Sequence, residues 1–453
     1  MAGVLKLVRY GTPAAERALA RLDGRLAAME RLDSAAYRAR VKRLFGKVLS
    51  PEAVVARILA DVRSRGDAAV KQYAKRIDGV NLTPKLLKVT AAERKAAYRR
   101  APAELRAALK EAARRIEAYQ RRLLPKDLAP AGAGGVTTGL MWSPLRRAGI
   151  YVPGGTAAYP SSVLMNVIPA QVAGVKEIAL ATPCAPDGRL SDGVLCACEL
   201  LGVTEIYRLG GAQAIGALAY GTRSIPRVDK LVGPGNLFVL LAKRAVFGQV
   251  DIDMLAGPSE VLVLAEAAAS PRADWIAADL LAQAEHDPLC SCVLVCDSLL
   301  LAEAVRAEAG KQLAALPRRE LAGAALRDWG LAVVTRGQGE SVEVANRFAP
   351  EHLELFVKRP KAFASKLTNA GAIFLTPHAT EPLGDYLAGP SHTLPTGGTA
   401  RAFSGVSVYT FLRRTSLIGA GAQGLESVSG ALETLAEAEG LEAHRRAVAI
   451  RKR

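Results

Sequence analysis

Between Ala148 and Val246 short apolar runs alternate with longer stretches whose apolar positions recur at helical spacing. The pattern predicts strands at Ala148–Val152, Glu177–Ala181, Glu205–Arg208 and Val228–Val232. Between and after them it predicts helices at Ser161–Val175, Asp192–Leu201, Ala212–Tyr220 and Leu237–Val246. A second run follows, with strands at Glu260–Leu264, Ser291–Val295, Leu331–Val334, Leu353–Val357 and Ala372–Leu375. Its helices are one that ends at His286, then Leu299–Leu316, Arg319–Trp329, Glu340–Arg347 and Ala362–Asn369. Strand–helix alternation of this kind belongs to parallel sheets covered by helices. The fold class expected is therefore α/β, with two Rossmann-like doubly wound parallel-sheet domains and no internal sequence repeat.

The flanks read differently. Residues 1–125 read as helices, at Ala14–Glu30, Ser50–Arg65 and Ala91–Tyr119, with turns at Gly66-Asp67 and Asp78-Gly79. Pro125–Gly135 reads as a linker or exposed loop. From Thr415 onward the chain reads as helical and polar, with too few apolar residues for a core of its own, so this tail should pack on something else.

Composition narrows the class. With 453 residues, half of them hydrophobic, the chain suits a soluble protein of two or three domains. No apolar run approaches the roughly 20 residues that span a bilayer, and the N-terminus lacks a signal-peptide pattern, so a cytoplasmic location with no membrane partner is expected. The six cysteines are then expected as reduced thiols. Cys290-Ser-Cys-Val-Leu-Val-Cys296 has the spacing of a metal loop, but its alternation with valine and leucine reads better as a buried strand. The net charge of +17 sits in the first third: residues 1–126 hold 30 Lys+Arg against 12 Asp+Glu. That excess raises nucleic-acid binding as a rival class. The charges alternate with Ala and Leu at helical period and lack interleaved aromatics, which favours solvated helix faces over a nucleic-acid surface.

Candidate chemistry gathers around few residues. Gln283 and His286 stand one turn apart near the end of ADWIAADLLAQAEHDP, so an amide oxygen and an imidazole can converge; the plainer reading is a cation closing a helix C-terminus. Only five histidines occur: His286, His352, His378, His392 and His444. In FAPEHLE, His352 suits a general base and Glu351 could activate water beside it, provided the backbone bends so that both neighbours face one site; a surface pair is the alternative. Asp385, in a turn-rich loop seven residues before His392, could complete with Gln283 and His286 a mixed N and O set suited to zinc or a similar divalent ion. Gly154-Gly155 and Gly233-Pro234-Gly235-Asn236, each after a strand and before a helix, offer backbone N–H groups to phosphate, without a G-x-G-x-x-G fingerprint.

In order along the chain, AGIYVPGG, GGAQAIGALAYGT, VGPGN, DMLAGPSEVLV, LLAQAEHDP, FAPEHLEL and GDYLAGPSHTLPTGGTAR closely resemble the histidinol dehydrogenase family, from about Val54 to His444. The resemblance implies a cytoplasmic homodimer with shared active sites that oxidises L-histidinol to L-histidine with two NAD, through histidinaldehyde. It implies one zinc per subunit on Gln283, His286, Asp385 and His444, and an acid/base pair at Glu351 and His352. It implies NAD contacts at Tyr151, Gln213 and Asn236. Substrate contacts fall on Ser259, His392 and Glu439, with His352 and the zinc ligands. The organisation expected is an N-terminal arm at 1–24, a helical part of the catalytic domain at 25–143, an NAD-binding domain at 144–258, a catalytic zinc-binding domain at 259–405, and a C-terminal helical dimerisation tail at 406–453, swapped onto the partner. A related zinc/NAD dehydrogenase acting on a sulfonated diol is the nearest alternative; a carboxylate at Glu439 opposes it, since it would repel a sulfonate.

Overall fold

The computed structural model describes residues 4–30, 34–154 and 158–452. Both parallel sheets predicted by the alternation are present. The first orders its strands Glu205–Arg208, Glu177–Thr182, Arg147–Tyr151, Lys230–Val232 and Asp251–Ile252, all parallel. The chain begins at a central strand and winds outward in both directions, so the order reverses between Arg147–Tyr151 and Lys230–Val232. The second sheet winds in the same way from Glu260–Ala265, with Ser291–Cys296 and Leu331–Val334 on one side and His352–Phe356 and Ala372–Phe374 on the other. The central strands are buried on both faces, which is why they read as continuous apolar runs. Cys292 and Cys296 lie inside one of these strands as buried free thiols, in agreement with the strand reading.

Several strands depart from the expectation. Lys6–Arg9, in the region read as all helical, adds to the second sheet beside Leu331–Val334. Leu128–Ala131, inside the expected linker, and Val136–Pro144 form an antiparallel sheet with Leu412–Ala420, where a helical tail was expected from Thr415. A four-residue KLVR strand is too short to show a period. The antiparallel sheet is mostly exposed, so its ladder rests on backbone pairing between segments far apart in sequence and leaves little hydrophobic signal. Beyond it the tail is helical as expected, over Ala422–Ala438 and Glu442–Ala449.

Two anchors hold the elements that matter for the site. Helix Ala273–Ala284 buries Ile276, Leu280, Leu281 and Ala284 against the second sheet; a fully buried Leu or Ile contributes about 1.5–3 kcal/mol each. Arg25, buried at 4% exposure, reaches from the N-terminal helices to Glu260 and donates to Leu22 O at 2.7 Å and Phe348 O at 2.8 Å. Glu260 also accepts the Gly397 N–H at 2.7 Å. That buried pair ties the first turn of the second sheet to the loop following His392.

Candidate active site

A polar cluster forms at the amino edge of the second sheet. Helix Ala273–Ala284 ends there, bringing Gln283 fully buried to the floor of the cluster, and His286 follows in a turn whose N–H bonds Gln283 O at 3.2 Å. The bend required for Glu351 and His352 to face one site is present. Ala349 takes a left-handed φ of 49°, and the Gly371 and Ala372 N–H groups bond Pro350 O and Glu351 O, both at 2.9 Å. Glu351 Oε2 accepts the Glu260 N–H at 3.0 Å and lies 3.9 Å from His352 Nδ1. His352 Nδ1 meets Gln283 Oε1 at 3.1 Å, and its Nε2 lies 3.7 Å from Asp385 Oδ1. With the Gln283 oxygen accepting, Nδ1 carries the proton and Nε2 keeps its lone pair.

Asp385 lies on a one-turn helix, Glu381–Tyr386, and not in an open loop. That turn places Glu381 on the same face, four residues earlier. Ligand atoms of His286, Glu381 and Asp385 all lie within 4.8 Å of one another. His392 Nδ1 bonds Asp385 O at 3.0 Å, so the loop after the helix folds back over the cluster. Burial dominates the electrostatics. It pushes His352 down to about 4, despite Asp385 nearby, so the imidazole is neutral at pH 7 and able to accept a proton. It pushes the Glu351 carboxyl well above the ordinary carboxylate range, and Glu260, Asp385 and Glu381 add to the rise. Strong opposite shifts on a touching acid and base are common where proton transfer is done. The donor set of His286, Glu381 and Asp385, with Glu381 Oε2 left unpartnered although buried, fits a divalent ion bound by O and N atoms.

The carboxyl edge of the first sheet carries a cavity of about 950 Å³, lined by Tyr151, Gln213, Asn236, Gly154, Gly210 and Asp78 among others. It sits where the strand order reverses, the usual place for a dinucleotide in such sheets. Tyr151 Oη accepts the Gly211 N–H at 3.1 Å. Gln213 donates to Asp78 Oδ2 at 2.9 Å and keeps a buried Oε1 unpartnered. Asn236 caps helix Leu237–Val246, accepting from Phe238 and Val239 N–H at 3.1 and 3.2 Å. Of the expected glycine cradle, Gly154 lines the cavity and Gly155 lies outside the described residues. Ser162, at the start of the helix following Tyr151, hydrogen-bonds His392 Nε2 at 3.1 Å. One side-chain contact thus joins the helix after the Tyr151 strand to the polar cluster.

Nine expected site residues therefore gather in two groups on these edges, Gln283, His286, Glu351, His352, Asp385 and His392 in one and Tyr151, Gln213 and Asn236 in the other, with Ser259 half-buried immediately before Glu260. Two do not join them: Glu439 and His444 are exposed on the tail helices of the same chain. His378 packs its ring on Trp275, at 5.1 Å between centroids. The sequence reading missed Asp279, Glu354 and Glu381, three buried acids behind His286. Their signals were available: Asp279 precedes Gln283 by four on one helix, Glu354 follows His352 by two on one strand face, and Glu381 precedes Asp385 by four.

The chain is similar to known proteins over nearly its whole length. A family model described as histidinol dehydrogenase matches residues 45–452. A histidinol dehydrogenase of Moorella thermoacetica is 52% identical over 414 residues, covering 91% of this chain and 97% of the relative. One from Geobacillus kaustophilus is 52% identical over 394 residues, covering 87% and 92%. The crystal structure of histidinol dehydrogenase from Elizabethkingia anophelis superposes with a TM-score of 0.89 at 32% identity, covering 100% of this chain and 98% of that one. Fold and nearly the whole length coincide with one group of enzymes: this chain belongs to the histidinol dehydrogenase family.

Proposed function

We propose that this chain oxidises L-histidinol to L-histidine through L-histidinaldehyde, using two NAD, as the last step of histidine biosynthesis. The observation that carries the reading is the link between the two edges: the cluster holding a neutral buried imidazole and its acid neighbour is joined, through the Ser162–His392 hydrogen bond, to the helix that follows Tyr151, and Tyr151 lines a cavity of dinucleotide size. NAD held by Tyr151, Gln213 and Asn236 supplies the hydride acceptor. Zinc held by Gln283, His286 and Asp385, with His444, supplies the positive charge that holds the substrate's amine and imidazole.

The chain's own groups handle the protons. Gln283 fixes the His352 ring, so that Nε2 takes the hydroxyl proton as hydride leaves the carbinol carbon. Glu351 draws a proton from the water that attacks the aldehyde, and the positive charge of a bound metal ion would favour its ionised form. His352 then serves again as the hydrate is oxidised. Ser259, His392 and Glu439 contact substrate.

The tail supports a homodimer with shared sites. Val428, Leu432 and Leu435 are exposed on one face of helix Ala422–Ala438, at i, i+4 and i+7, with Leu441 and Ile450 beyond them. A second copy covering that face would carry His444 and Glu439 to the partner's cluster. The domain division expected at 25–143, 144–258, 259–405 and 406–453 is kept as part of this reading. A cytoplasmic location accords with a small-molecule biosynthetic role, and among the described residues no helix is long and apolar enough to cross a membrane.

The direct test is NADH release on adding histidinol, with and without a chelator. Two NADH per histidinol and loss of activity with the chelator are expected. No NADH, or a single equivalent with aldehyde accumulating, would sink the reading.

A further inference from the structure

The basic excess of the first third converges in one place. Arg43 lies in the last turn of helix Ala35–Phe45, Arg57 and Arg65 lie on helix Pro51–Arg65, and Arg76 sits in the π-helical turn Ala74–Asp78. All four are solvent-exposed and line one hollow of about 500 Å³, together with Asp61, Gln72, Phe45 and Tyr73. That size falls in the range of about 300–1,000 Å³ usual for small-molecule sites. Arg57, Asp61 and Arg65 follow at i, i+4 and i+8, so one helix stripe supplies two of the cations and the single carboxylate of the lining.

That carboxylate is already engaged. Asp61 lies 3.2 Å from the Arg65 guanidinium and accepts the Tyr73 hydroxyl proton. Arg65 also donates to Gln72 Oε1 at 2.8 Å. Among the described residues no carboxylate forms an ion pair with Arg43, Arg57 or Arg76. Helix ends attract cations, which accounts for Arg43 and Arg65 taken singly. It does not account for Arg57 in mid-helix, nor for three elements turning their charges into one hollow. Like charges gathered in a concavity raise the local potential and draw in anions. Guanidinium forks match phosphate oxygens two at a time.

The floor of the hollow is firm. Tyr73 is 3% exposed, and its ring meets that of Phe45 at 6.3 Å between centroids. Leu44 and Phe45 also line the cavity assigned to the dinucleotide, so they form a wall common to both spaces. None of the four arginines lines that larger cavity. A nucleic-acid strand would call for a basic track with aromatics free to stack on bases; here the two rings pack on each other.

We propose that Arg43, Arg57, Arg65 and Arg76 form a second binding site, separate from the cofactor cavity, for a small anion that carries a diphosphate group. With Asp61 answering one of the four guanidiniums, the remaining positive charge suits a multiply charged group better than a monoanion.

The test uses the full-length, zinc-loaded protein with NAD at saturation, which blocks the cofactor cavity. Titration calorimetry reads the binding of two probes, inorganic pyrophosphate and ADP, and at least one should bind at one site per chain. The tighter of the two distinguishes the free anion from a nucleotide as the ligand's source. Arg43→Gln combined with Arg76→Gln should weaken binding about tenfold or more and abolish the rise in melting temperature that the probe gives the wild type. Arg43→Lys combined with Arg76→Lys keeps the charge but not the fork, and should fall between. Arg114→Gln combined with Arg121→Gln removes two charges from another helix, Ala103–Arg122, and should bind as the wild type does. Without probe, the Arg43 and Arg76 variants should melt no lower than the wild type, because both side chains are exposed; this separates a lost anion from a lost fold. No binding of either probe at millimolar concentration would overturn the proposal. So would binding that NAD displaces, or binding that the double glutamine variant leaves unchanged. Single-stranded RNA bound more tightly than either probe, and lost in the same variant, would give the surface to nucleic acid instead.

Discussion

Glu351 and His352 are neighbours in sequence but face opposite chemical demands. The histidine must be neutral to take a proton, and burial ensures it. The glutamate is raised by the same burial, so its proposed work depends on positive charge brought into the site with the metal ion. Glu351→Gln should therefore slow aldehyde oxidation more than the first hydride transfer, whereas His352→Asn should slow both, each by about 100-fold or more. Stopped-flow measurement of the two half-reactions, starting from histidinol and from histidinaldehyde, checks this; equal losses in Glu351→Gln would remove its separate role. In the cofactor cavity, burial raises Asp78 to about 6, against the pull of its Gln213 hydrogen bond and of Arg40. Its folded value lies above its unfolded one, so between about 4 and 6 the folded chain holds more protons and stability falls as pH rises. Asp78→Asn should flatten that dependence and raise stability at pH 7 by about 1 kcal/mol, or roughly 2 °C. Thermal melts across pH 4–7 test the sign.

At the scale of elements, both sites depend on where a strand stops. Tyr151 ends one strand, and Gly233 ends its neighbour with a φ of 122°. A Cβ at Gly233 would lie 2.0 Å from Tyr151 O. Gly233→Ala should thus cost more than about 1 kcal/mol and push the Pro234–Asn236 turn off the cavity. The expected kinetic sign is a raised KM for NAD with a smaller change in the KM for histidinol; equal rises in both would place the damage elsewhere. The second sheet uses its opposite edge. There the helix Ala273–Ala284 returns toward the strand starts, and its C-terminus delivers Gln283 and His286 beside the bend before His352. The cysteine-bearing strand supports that helix from below and takes no chemical part; its thiols Cys290 and Cys292 are raised well above the ordinary value by burial.

At the scale of the molecule, the tail decides whether one chain can make a site. Glu439 and His444 are exposed while Gln283, Glu351 and His352 are buried, and an exposed apolar helix face lies beside them. If the tail works on a second copy, a heterodimer of one Asp385→Asn chain and one His444→Asn chain gathers both defects in one site and leaves the other intact. Either homodimer should be nearly inactive, and the purified heterodimer should recover about half of the wild-type activity per dimer. No recovery would place His444 in its own chain's site.

Much of this was legible from residues alone. Apolar alternation is a local signal, and it determined both parallel sheets and most helices, because a strand buried on both faces must be apolar throughout. Spacing also made Gln283 with His286, Glu351 with His352, and Asp385 legible as candidates, whereas Tyr151, Gln213, Ser259 and His392 came only through the resemblance to the family. What only tertiary structure decided is what joins distant segments. The Lys6–Arg9 strand and the antiparallel Leu412–Ala420 ladder form through backbone bonds, which any side chain can make, so composition does not announce them. The acids Asp279, Glu354 and Glu381 have their spacing written in the chain, but burial beside His286 is a property of three elements packed together. The same packing sets the proton affinity of His352, because desolvation depends on what surrounds a group and not on what precedes it in sequence.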